Sequence, residues 1–140
     1  MTARGLLLDT HTWLWLADGT PGRISRSALQ RVERAGRSRQ VFVSSISVWE
    51  IGMLIARKRI GLAVSIDEWL AQSLAHDRLG LLALDARVAL ESTRLPGTVH
   101  GDPADRFLVA TARMHDLHIV TADRKILAYG DAGHVKTLAL

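Results

Sequence analysis

The chain has no cysteine, three prolines and only seven aromatic residues in 140 positions. Without cysteine, disulfides and thiolate metal sites are excluded, and a reducing, cytoplasmic setting is the expected one. Long hydrophobic runs are missing too. Asp9 and His11 interrupt the apolar stretches at 6–8 and 13–17, which leaves neither long enough for a membrane span, and no signal-peptide cleavage region accompanies them. Acids are the scarcer charge: 14 against 18 basic residues, for a net charge of +4 and a pI near 10.3. Fifteen of the basic residues are arginine, which forks onto phosphate as lysine cannot. That excess suits a nucleic-acid backbone and equally suits a solvated surface, so charge alone decides nothing.

What is present is an ordinary globular composition, with 48% hydrophobic and 23% charged residues. It supplies the core of one domain, expected to span 1–140. GLLLD at 5–9 reads as a short buried strand, and the apolar density of THTWLWLAD as a helix that stops near Gly19. Helices are predicted over 25–36, 45–60, 65–78, 86–93, 102–116 and 124–130, and strands over 40–44, 80–85, 117–123 and 135–140. The strands are continuous apolar runs that alternate with helices. That is the pattern of a parallel sheet covered on both faces, giving a three-layer α/β/α sandwich with four to five strands.

The few acids fall in unusual places. Asp9, Asp85 and Asp123 each follow an apolar strand, where open α/β sheets bind ligands. Each could instead cap the helix that follows it. Asp102 before Pro103 has the cap-then-proline signature, and Asp105 sits where an acid favours a helix N-terminus. Glu50 lies among Val48, Trp49, Ile51, Met53, Leu54 and Ile55, in a helix expected to be buried on most sides. A buried carboxylate needs a cation or a proton. One alternative is a capping box, Ser47 to Glu50, although Ser44 and Ser45 offer an earlier helix start. Oxygen donors without cysteine suit Mg²⁺ or Mn²⁺, ions that serve phosphate chemistry.

In order, LLLDTHTWLW at 6–15, SSISVWEIGML at 44–54, HGDPADRFLVATA at 100–112 and IVTAD at 119–123 resemble the PIN-domain ribonucleases. Within them they are similar to the VapC-type toxins of toxin–antitoxin modules, and the resemblance covers essentially the whole chain. It implies a metal-dependent endoribonuclease that hydrolyses RNA with metal-activated water, using one or two Mg²⁺ or Mn²⁺ ions. Asp9, Glu50, Asp105 and Asp123 match the family's acids. Asp102 is a further ligand or a supporting group, and Thr121, His100 and Arg106 are supporting residues. Ala104 stands where this motif variant often has phenylalanine, a position of packing rather than chemistry.

The family also implies a cognate antitoxin whose amphipathic segment lies in a groove made by the early helices, and a homodimer. Trp13, Trp15, Ile51 and Leu54 are the expected antitoxin contacts, and the arginines from Arg23 to Arg39, with Arg106, the expected grip on RNA. Two other readings compete. One is a PIN nuclease of RNA processing or decay; the other is an inactive Mg²⁺-binding RNA-interaction module. A phosphatase of the Asp-x-Asp-x-Thr type is disfavoured, because His11 replaces its second aspartate.

Overall fold

A computed structural model describes residues 5–75, 78–99 and 102–140. The first strand, β1 (Leu6–Leu8), is completely enclosed: Leu6, Leu7 and Leu8 are 1%, 0% and 2% exposed. Because side chains alternate along a strand, Leu6 and Leu8 enter one core while Leu7 enters the other. Three consecutive leucines are therefore what a strand covered on both faces requires. Truncating one such side chain to alanine typically costs ~2–5 kcal/mol.

Around β1 the chain builds α1 (Thr10–Asp18), α2 (Arg26–Arg37), β2 (Val41–Ser44), α3 (Ser45–Ala56) and α4 (Ile66–Leu74). Then come β3 (Leu79–Leu82), α5 (Ala86–Ser92), α6 (Pro103–His115), β4 (His118–Thr121), α7 (Arg124–Asp131) and β5 (Lys136–Ala139). All five strands pair in parallel, in the order β3-β2-β1-β4-β5. One core joins the sheet to α1, α2 and α4 through Trp13, Val32 and Trp69. The other joins it to α6 and α7 through Leu108, Val109, Ile126 and Tyr129. This is the expected α/β/α sandwich. No helix among the described residues is long and apolar enough to cross a membrane.

The strand order fixes where a ligand can enter. From β1 the chain runs outward through β2 and β3, then returns to place β4 on the other side of β1. The crevice beyond the carboxyl ends of β1 and β4 is the switch point at which such sheets bind ligands. Asp9 follows β1 and Asp123 lies two residues after β4.

Several expected boundaries shift. The third helix ends at Ala56 rather than at 60, because Lys58 takes a left-handed conformation (φ 56°). Its N–H and that of Arg59 close the helix onto Ile55 O and Leu54 O. Helix α4 ends at Leu74, short of the expected 78. Strand β3 stops at Leu82, so Asp85 is not at its end; it caps α5, accepting from Val88 N at 2.9 Å. The capping box at Ser47 is not formed, since Ser44 caps α3 by accepting from Ile46 N at 3.1 Å. Most consequentially, α3 is not buried on most sides: only Ile46, Ser47 and Ile51 are, and Trp49 is 57% exposed. Its apolar residues include a face open to solvent, which apolar content alone cannot distinguish from a face buried in the core.

Candidate active site

Five acids from four segments line one cavity of about 380 Å³: Asp9, Glu50, Asp102, Asp105 and Asp123. Their positions follow from local structure. Asp9 leaves the sheet as the cap of α1, with Oδ1 accepting from Thr12 N at 2.9 Å. Its Oδ2 accepts from the buried Thr121 hydroxyl at the end of β4. Thr12 Oγ1 in turn donates to Val120 O at 3.0 Å, tying the start of α1 to the neighbouring strand. A carboxylate held on both oxygens loses little freedom when it acts, and its remaining lone pairs stay available.

Asp123 caps α7, and its Oδ1 accepts from Lys125 N (2.8 Å) and Ile126 N (3.1 Å). Its own N–H donates to Thr121 Oγ1 at 2.9 Å. Thr121 therefore links Asp9 and Asp123 through a single hydroxyl. On α3, Glu50 accepts from Thr10 Oγ1, which also lies 2.9 Å from Ser47 Oγ. Asp102 caps α6, accepting from Ala104 N at 3.0 Å. It also lines the cavity, so capping and site membership are not exclusive.

Asp105 differs from the other four. Among the described residues its carboxyl has no hydrogen-bond partner. Burial, and then the charges of Asp102, Asp123, Glu50 and Asp9, push its pKa up from 3.8 to about 7. Glu50 is raised in the same direction by burial and by Asp102 and Asp9, against the opposing effects of the Thr10 hydrogen bond and His11. Among the described residues no lysine or arginine lines the cavity, and the acids repel one another with only His11, at Glu50, placed to offset them. Among the described residues no three carboxylate or imidazole groups meet closely enough to hold an ion as they stand. The donor chemistry nevertheless fits a hard divalent cation: all the ligands are oxygen, and their mutual repulsion would be relieved by positive charge.

The PIN domain family matches residues 6–132. The chain belongs to the PIN-domain family. Within it the chain falls in the VapC group, being 36% identical over 124 residues to ribonuclease VapC22 of Mycobacterium tuberculosis, a match covering 89% of this chain and 91% of that protein. The fold is shared with VapBC2 of Rickettsia felis bound to a promoter DNA fragment (TM-score 0.67, 13% identity, 96% of this chain and 97% of that one). It is shared as well with DNA-bound VapBC of Salmonella typhimurium (0.67, 20%, 97% and 98%) and FitAcB of Neisseria gonorrhoeae (0.64, 20%, 95% and 96%).

In this PIN domain Asp9, Glu50, Asp102, Asp105 and Asp123 come together in one cavity, and Thr121 joins two of them. His100 lies outside the described residues. Arg106 is engaged within the fold: its Nε donates to Ser92 O (3.0 Å) and its Nη1 to Val99 O (3.4 Å), so it organises the loop before α6. Of the four expected antitoxin contacts, Trp13 and Ile51 are core residues, 2% and 1% exposed, while Trp15 and Leu54 are half-buried. Trp15 lines the acid cavity instead, together with His11. Their rings are 5.8 Å apart, and the Arg23 guanidinium lies 5.2 Å from the Trp15 ring centre. Sequence reasoning missed this row. The spacing of His11 and Trp15, four apart on one helix, was the available signal.

Proposed function

We propose that this protein is the endoribonuclease toxin of a toxin–antitoxin pair and depends on Mg²⁺ or Mn²⁺. The observation that carries the reading is the convergence of five acids, with no lysine or arginine among the described lining residues, at the switch point of a VapC-group PIN fold. A divalent cation held by Asp9, Glu50, Asp105 and Asp123 would supply Lewis acidity and a bound water of lowered pKa. The chain's own residues do the rest. Thr121 and the Thr12 N–H hold the Asp9 carboxylate in place, and the Thr10 hydroxyl orients Glu50. Asp123 is fixed by the first turn of α7. His11, Trp15 and Arg23 form a wall against which the RNA strand lies. Asp9→Asn is expected to lower cleavage of single-stranded RNA by at least about a hundredfold, with folding unchanged. Full cleavage by that variant in the presence of Mg²⁺ would refute the mechanism.

The partners belong to the same reading. A second cavity of about 630 Å³ runs between α1, α2 and α4, with Trp13, Leu16, Val32, Val64 and Trp69 among its walls. It suits the apolar face of an antitoxin helix, with Trp13 as floor rather than rim. The solved neighbours include VapBC complexes and a toxin–antitoxin complex from Klebsiella pneumoniae, which supports a protein antitoxin here. A second copy of the chain would cover the exposed Trp49, beside a pit lined by Ile46, Leu84, Pro103 and Phe107. Trp49→Glu would then sediment as a monomer where the parent sediments as a dimer; an unchanged dimer moves that interface elsewhere.

A further inference from the structure

Beside the acid cavity lies another, of about 480 Å³, between α7, α6 and the loop at 96–99. Asp105 lines both, so the two are neighbours on either side of that residue. The second is chemically unlike the first. Its walls are Val99, Val109, Ile126 and Ala128, and Arg124 and Lys125 stand exposed among its lining residues.

The loop that closes this cavity is pinned from three directions. The Tyr129 hydroxyl donates to Pro96 O, and the Tyr129 ring stacks on His134 with centroids 4.8 Å apart. Gly97 is left-handed (φ 68°), and a Cβ there would stand 2.7 Å from His134 Nε2, so only glycine lets the loop lie this close. Arg106 holds Val99 O and Ser92 O from the other side. Three unrelated side chains thus maintain an apolar slot next to the acids.

Resting on the ribonuclease reading, we propose that this slot is a nucleotide subsite, taking the base and ribose of the RNA residue adjoining the scissile phosphate, with Arg124 and Lys125 on its backbone. The volume lies within the ~300–1,000 Å³ of small-ligand sites. Single-stranded RNA is bound by splaying bases into apolar slots while cations follow the phosphates. Among the described residues no lysine or arginine lines the acid cavity to hold a polyanion, whereas these two line the slot beside it. A strand whose phosphate meets the acids has its neighbouring nucleotide within reach of the slot, because one residue, Asp105, borders both.

The test uses the full chain with methyl groups labelled, titrated with nucleoside 5′-monophosphates, alongside cleavage of a mixed-sequence RNA. Saturable shifts are expected at the Val99, Ile126 and Ala128 methyls. Ala128→Phe, which fills the slot, should abolish them. The exposed Lys125→Glu, which leaves packing intact, should weaken them. Both variants should raise KM about tenfold, the loss of one held base, and alter the preferred cleavage sites more than kcat. If the parent cleaves RNA but shows no nucleotide shifts, and both variants keep its KM and site preference, the subsite is refuted while the nuclease reading stands. Shifts produced by an antitoxin-derived peptide and not by nucleotides would also overturn it, giving the slot to protein. If the parent does not cleave RNA, the nuclease reading fails. The nucleotide shifts then decide the slot by themselves, supporting it if present and refuting it if absent.

Discussion

Helix α1 separates two regions built on opposite principles. Thr10, His11 and Trp15 face the acid cavity, while Trp13, Leu16 and Ala17 face the apolar groove against α2 and α4. Residues four apart share a side of a helix, and those two apart do not. The cavity concentrates carboxylates that repel one another; the groove concentrates apolar surface that water does not favour. Each region is therefore incomplete in the isolated chain, one calling for positive charge and the other for an apolar partner. Their energetic roles differ as well. The groove is continuous with the core and supports the fold, whereas the cavity strains the fold for the sake of chemistry.

The largest effect should come from the groove. Trp13→Ala removes a side chain 2% exposed and packed 5.0 Å from the Trp69 ring. It is expected to cost ~3–5 kcal/mol, read as a lowered denaturation midpoint. Val64→Glu, at a wall position 36% exposed, should leave that midpoint nearly unchanged and weaken binding of an apolar antitoxin helix. A loss of fold at Val64, or none at Trp13, would break the distinction between floor and rim.

The cavity should behave in the opposite way. Asp105, with its pKa raised from 3.8 to about 7, holds its proton more tightly in the folded chain than in the unfolded one. Folding stability of the metal-free protein should therefore fall as pH rises across that interval, and Glu50 adds a slope of the same sign. Saturating Mg²⁺ or Mn²⁺ should flatten the fall. Asp105→Asn should flatten it without metal, raising thermal stability above that interval while abolishing RNA cleavage. A melting temperature that climbs with pH across the same window would contradict this picture. The smallest effect sharpens the contrast among acids. Asp85→Ala removes only a cap outside the cavity, so it should cost ~1 kcal/mol and leave cleavage untouched.

Much of the site was legible in the chain itself because its signals are local. An apolar run that ends in Asp9 marks a strand leaving the core, and Asp102-Pro103 marks a helix start. The same local signals failed at α3. Apolar residues crowd that helix, and content alone cannot tell a core position from an exposed one; Trp49 is of the second kind. Trp13 and Trp15 could not be told apart for a related reason. Both are tryptophans on one helix, but a two-residue offset sends one into the groove and the other to the cavity. Arg106 read as a free cation until its two carbonyl partners, both outside its own helix, came into view.

By itself the sequence determined the alternation of strands and helices and the parallel α/β class, which depend on periodicity and propensity along short stretches; the acids were singled out by the resemblance of their motifs to a known family. Only the tertiary structure decided the strand order that puts Asp9 beside Asp123, the hydroxyl of Thr121 that joins them, and the burial and crowding that raise Asp105. Those properties arise between residues distant in the chain. Asp9 and Thr121 are 112 positions apart, and no local pattern encodes the contact that makes them one site.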